Sequence, residues 1–241
     1  MADPFRHHPE LRGKIDDPAG SFMRKMSIPF LEELGRTHNL PGGWWYSDAE
    51  REALRAQTLA GRMGRDLWVF AYGSLMWDPA LHFAEIRRAR IEGYARKFIL
   101  LETYGGRGTE DQPGLMAALD AGAGCEGLAF RISAEVLEAE TYLLWHREMI
   151  CAGYHAVFMP AETPQGAVEA LAFVADHDAP DVRPDISRDD QVRMIATGQG
   201  ILGTAADYLR KLVEKLDQLG IEDAETRGLL DEVEHCIELT K

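Results

Sequence analysis

The chain has 241 residues, 46% of them hydrophobic and 27% charged, which is the composition of a globular protein long enough to bury a substantial core. Its 26 basic residues against 40 acidic ones leave a formal net charge of −14, which argues against nucleic acid or an anionic membrane surface as partner and for a small molecule or a protein. Three widely spaced cysteines make neither a disulfide framework nor a zinc ribbon, and eight histidines show no ligand spacing, so no metal is expected.

Residues 1 to 46 mix Pro, Gly, His and charge with brief apolar islands, Ile28-Pro29-Phe30-Leu31 and Trp44-Trp45-Tyr46. This composition reads as an arm that drapes over a domain and docks by its aromatics. No apolar signal core occurs in it and no later run approaches membrane-spanning length, so the expected location is the cytoplasm. Ser47-Asp48-Ala49-Glu50 is a capping-box pattern, predicting a helix over 48–60 that ends at Gly61. The chain therefore divides into an N-terminal arm with one helix, 1–66, and a folded body, 67–241.

The body opens on the uncharged run Leu67 to Tyr72, a buried strand that Gly73-Ser74 breaks and Pro79 ends. A small-residue turn after a buried strand lets backbone amides approach a ligand and can form an oxyanion nest; the same residues also make an ordinary tight turn. Strands are predicted at 67–72, 86–91, 95–101, 115–119, 126–131, 154–159 and 168–174, separated by Gly93, Gly105-Gly106, Pro113-Gly114 and Gly122 to Gly124. Their close spacing gives an α+β fold around an antiparallel sheet or a partly closed barrel. A helix interrupts them at 134–149. Past an acidic loop at 176–185, capping-box starts at Ser187 and Thr204 open two helices, the second stopping at Gly220, and a last helix covers 223–239.

Glu148 stands out on the 134–149 helix. Stepping back by helical intervals gives Leu144, Thr141 and Leu137, so its side chain continues the inward stripe. Burial there raises a carboxyl pKa and makes a group that can both take and give a proton near neutral pH. The structural alternative is a helix ending at Glu148 with the carboxylate paired to Arg147, Arg131 or His155. Cys151, close by, reads as a packing thiol.

Several separated blocks, in order, resemble the ChaC family of glutathione-specific gamma-glutamylcyclotransferases, particularly its bacterial branch. They are Phe70-Ala71-Tyr72-Gly73-Ser74-Leu75-Met76-Trp77, Arg107-Gly108-Thr109 with Pro113-Gly114-Leu115, Gly127-Leu128-Ala129-Phe130-Arg131, Trp145-His146-Arg147-Glu148-Met149, and Gly203 with Ala206-Asp207-Tyr208-Leu209. The resemblance implies a gamma-glutamylcyclotransferase-like fold, a small mixed barrel flanked by helices. It also implies cleavage of glutathione to 5-oxoproline and cysteinylglycine without water or cofactor. Glu148 would be the proton acceptor, and Phe70, Ala71, Tyr72, Gly73, Ser74 and Leu75 the substrate loop. Tyr208 would be a cavity contact, although a packing tyrosine beside Leu212 fits the sequence as well.

Ala71 departs from the family pattern, most relatives having Gly there, and Arg107 reads either as a clamp for a glycine-end carboxylate or as a solvated charge. Two other functions fit this sequence: a cyclotransferase for other gamma-glutamyl amines, and a non-catalytic partner of a cation transporter. A monomer or a dimer is expected.

Overall fold

Strand β1 (Leu67–Ala71) sits inside the sheet, with a partner on each edge, because its uncharged run can be buried on both faces. Alternation still assigns its side chains. Leu67, Val69 and Ala71 join the core under the helices, whereas Trp68, Phe70 and Tyr72 join a second cluster on the opposite face. The structure is a computed structural model that describes residues 3–240.

Seven strands form a mixed sheet in the order β2 (Glu85–Ile91), β5 (Cys125–Ile132), β1, β7 (Val168–Ala175), β4 (Thr109–Ala121) and β3 (Tyr94–Tyr104), with β6 (Tyr154–Ala161) also paired to β7. The β1–β5, β2–β5, β3–β4 and β6–β7 pairs are antiparallel; β1–β7 and β4–β7 are parallel. All seven predicted strands are present. The sheet curls until β2 and β6 meet, but only Arg90 and Glu162 exchange backbone hydrogen bonds there, at 2.9 and 2.8 Å. The expected barrel is thus approached and not completed.

One feature of the register positions everything that follows. Strand β6 pairs along the whole of β7, so β1 and β4 share the other edge of β7. β1 pairs at Ala170 and Leu171, and β4 at Val174. The two strands part along that edge, and the cleft between them opens beside Tyr72 and Ala117.

Helix α3 (Leu137–Glu148) buries Leu137, Thr141, Leu144 and Trp145, as the stripe ending at Glu148 predicts. Helices α4 (Arg188–Thr197), α5 (Ala205–Leu219) and α6 (Ala224–Leu239) cover the sheet; Ser187 and Thr204 cap the first two, and Gly220, at φ 66°, stops α5.

The arm differs from expectation, because it carries two α-helices and not one, besides short 3-10 turns. The predicted helix is present over Asp48–Thr58, its capping box formed in both directions. A further helix covers Ile28–His38. Pro29 falls in its first turn, where a proline is tolerated because its missing N–H would have had no partner. The Ser27 hydroxyl accepts from the Phe30 amide, and Asn39 closes the helix in the left-handed region.

Among the described residues no helix is long and apolar enough to cross a membrane, and no group of three or more His, Cys, Asp or Glu side chains could hold a metal ion.

Candidate active site

A cavity of about 250 Å³ lies at the fork between β1 and β4, and Tyr72, Gly73, Ser74, Leu75, Glu148 and Tyr208 all line it. The two segments that the sequence singles out, some seventy residues apart, therefore face one space. Phe70 and Ala71 are not lining residues. Both are fully buried one step earlier on β1, Phe70 under the curl of the sheet and Ala71 toward the helices. They hold the strand that presents the loop, and the extra methyl of Ala71 is a core atom.

After β1 the chain makes a single 3-10 turn over Ser74–Met76, in which the Met76 and Trp77 amides donate to the Gly73 and Ser74 carbonyls at 2.9 and 3.2 Å. The start of such a turn leaves amides without intrahelical acceptors. Among the described residues no backbone carbonyl accepts from the Ser74 or Leu75 amide. Gly73 allows the close approach of Tyr208, since a Cβ there would stand 3.2 Å from its hydroxyl and push it back by a few tenths of an ångström. Buried Arg96 fixes the strand end from behind: its Nε donates to the Tyr72 carbonyl at 2.6 Å and its Nη2 to the Glu126 carbonyl at 3.0 Å, while Nη1 pairs with Asp223.

Glu148 is the last residue of α3, with 16% of its side-chain surface exposed. Burial pushes its carboxyl above the ordinary glutamate range, and the Arg147 guanidinium, with Nε 2.9 Å from Glu148 Oε1, partly opposes that rise. Arg147 does more than pair. Its Nη2 donates to Ser74 Oγ at 2.7 Å and its Nη1 to the Asp78 carbonyl at 2.5 Å. One guanidinium thus ties the glutamate to the turn. Arg131 and His155, the other candidate partners, are engaged elsewhere, with Glu85 and Asp66 and with Asp176.

Three phenols complete the polar lining. The Tyr72 hydroxyl is hydrogen-bonded to that of Tyr154, which donates to the Ala117 carbonyl at 3.4 Å; the Tyr208 hydroxyl pairs with the Ala117 amide. Burial holds all three above the usual phenol value, Tyr208 at about 12, so each is neutral at pH 7. Cys151 also lines the cavity, and burial pushes its thiol up to about 12, which leaves it a poor nucleophile. Arg107 stands outside this lining, its guanidinium 5.5 Å from the Tyr208 ring and donating to the Thr204 carbonyl at 3.1 Å.

Arg147, Tyr154 and the arm residues Met23 and Met26, which also line the cavity, were not expected there, nor was the buttress that Arg96 provides behind it. Arg96 had a readable signal, a charge on the inward phase of Phe98 in a predicted strand. Arg147 had only its adjacency to Glu148. Nothing in the sequence marks the two methionines.

A family model described as ChaC-like protein matches residues 67–238. The glutathione-specific gamma-glutamylcyclotransferase of Escherichia coli is 40% identical over 194 residues, covering 80% of this chain and 84% of that protein. The glutathione-specific gamma-glutamylcyclotransferase 1 of Rattus norvegicus is 29% identical over 174 residues, covering 69% and 78%. A crystal structure of a glutathione-specific gamma-glutamyl cyclotransferase from yeast shares the fold, with a TM-score of 0.65 at 21% identity over 71% of this chain and 96% of that one. By the match of its body, sheet to last helix, this chain belongs to the ChaC-like family.

Proposed function

We propose that the chain is a lyase that cleaves glutathione to 5-oxoproline and cysteinylglycine, with Glu148 carrying the proton. The observation that supports this most is the shared cavity of Glu148 and the 72–75 turn, in a chain whose E. coli relative bears the name of that activity.

The chemistry asks for three things. The glutamyl alpha-ammonium must lose a proton, its nitrogen must attack the gamma-carbonyl carbon, and the cysteinyl nitrogen must gain a proton as the amide bond breaks. A carboxylate with a raised pKa can serve both proton steps, taking the proton from the ammonium and returning it to the leaving nitrogen. The carbonyl oxygen becomes an oxyanion midway, and the Ser74 and Leu75 amides are donors suited to it; loss of one such donor costs about 3–4 kcal/mol. Holding the glutamyl chain folded, amine against carbonyl, can supply roughly 7–11 kcal/mol. The neutral Tyr208 hydroxyl, which accepts from the Ala117 amide and keeps its own proton to donate, can hold the substrate's alpha-carboxylate without competing for the proton. The nucleophile belongs to the substrate, so the scheme uses neither an enzyme nucleophile nor a cofactor.

In this reading residues 67–241 form the catalytic unit and the arm, 1–66, supplies one wall. It acts in the cytoplasm as a monomer or dimer. The test is release of 5-oxoproline from glutathione, gamma-glutamylalanine and gamma-glutamyllysine. Product from glutathione alone or far in excess is expected. Product mainly from the other two would transfer the activity to other gamma-glutamyl amines, and none from any would leave a binding protein without turnover.

A further inference from the structure

A second pocket, of about 180 Å³, adjoins the catalytic cavity, and Met26, Met116 and Ile150 line both. The arm builds much of it, through Leu31, Leu34 and Trp44. Trp44 lies flat on Tyr104, their ring centroids 4.4 Å apart and their planes at 10°, which gives the pocket an aromatic wall. Ile201 and Leu202, each more than a third exposed, come to it from the loop before α5.

Its two charged residues are both engaged. The Glu102 carboxylate accepts from the Tyr104 and Gly106 amides at 2.9 and 3.2 Å and from the Arg107 amide, and the Arg107 guanidinium donates to the Thr204 carbonyl and lies over Tyr208. Such a pocket suits an apolar group the size of a ring or a short alkyl chain, and the three shared lining residues put it beside a substrate in the cavity.

Glutathione offers one place for it. Both of its ends are charged, whereas the thiol sits on the leaving cysteinyl residue, three bonds from the scissile nitrogen, and can be extended without altering either end. Resting on the function proposed above, we propose that the enzyme also cleaves S-substituted glutathiones, thioethers whose apolar substituent occupies the pocket formed by Trp44, Tyr104 and Leu34 beside the catalytic cavity. The reaction is otherwise the same. The gamma-amide C–N bond breaks, the alpha-amine nitrogen bonds to the gamma-carbon, the proton passes from ammonium to leaving amine, and the products are 5-oxoproline and the S-substituted cysteinylglycine. The thioether bond is untouched.

The test compares glutathione with S-benzylglutathione on the full chain, reading 5-oxoproline. S-benzylglutathione is expected to turn over with a KM about tenfold lower, the scale of burying one ring-sized apolar group. Trp44→Ala, and separately Ile201→Asp in the exposed loop, should each cut the ratio of kcat/KM for the benzyl substrate over glutathione about tenfold. Turnover of glutathione with no product from the thioether would overturn the inference and leave the proposed function standing. A ratio unmoved by both variants would also overturn it, by placing the substituent elsewhere. If glutathione itself gives no product, both readings fall together.

Discussion

Two of the three glutamates of helix α3, Glu140 and Glu148, have surroundings that differ, and the difference separates a structural carboxylate from a reactive one. Glu140, with 3% of its side chain exposed, is met on every side: Arg24 Nη1 lies 2.8 Å from its Oε2, Arg24 Nη2 donates to Oε1 at 3.2 Å, and the His82 amide donates to Oε2 at 3.0 Å. It fastens the arm to the body. Glu148, two turns on, has one cation and a cavity, so burial prevails over pairing and its pKa rises. Depth in the fold would have chosen Glu140. What distinguishes the two is how many of their lone pairs the protein satisfies.

The largest expected effect breaks that pair apart. Glu148→Gln should lower turnover about a thousandfold, within the usual range for loss of a general acid or base, and should not harm the fold. A carboxyl whose folded pKa lies above its unfolded value binds its proton more tightly when folded. Its ionisation therefore costs stability, increasingly as pH rises from the ordinary carboxylate range through the folded pKa. The glutamine variant should melt above wild type at pH 8 and level with it below pH 4, as measured by thermal unfolding. Glu140→Ala should do the reverse, leaving kcat within about threefold but removing about 3 kcal/mol of stability, or roughly 6–12 °C in Tm, because Arg24 loses its buried partner.

Arg147→Gln sharpens the comparison further. Without the guanidinium the turn loses its tie to the base, and turnover should fall roughly 10–100-fold. With the opposing Arg147 guanidinium gone, Glu148 should hold its proton to still higher pH, so the acidic limb of kcat/KM should move up. The smallest effect is expected for Ala71→Gly, about 1–2 kcal/mol of stability from a lost core methyl and a freer strand, with kcat and KM within twofold. A large kinetic change there would place Ala71 at the substrate after all.

Much of this architecture was legible because it rests on periodicity. The uncharged run from Leu67, the inward stripe that ends at Glu148 and the caps at Ser47, Ser187 and Thr204 each reflect local backbone chemistry. The sequence pattern supports strand β4 only over 115–119 although it begins at Thr109, because Thr-Glu-Asp-Gln-Pro-Gly has the composition of a turn and pairing with β3 makes it a strand. The helix at 28–38 was hidden by a proline that its first turn accommodates. Arg147 and Tyr154 were invisible as site residues for another reason. Their roles depend on the parting of β1 and β4 along one edge of β7, a tertiary fact with no local pattern.

The central claim is that the proton carrier is Glu148, held above the ordinary carboxylate range by its cavity. It is tested most directly by the pH dependence of kcat/KM for glutathione from pH 4 to 9, in wild type and in Glu148→Gln. Activity should rise with pH along a limb lying clearly above the usual glutamate pKa, and that limb should be absent from whatever activity the variant retains. A wild-type limb at the ordinary carboxylate value, or the same limb surviving in Glu148→Gln, would contradict the account.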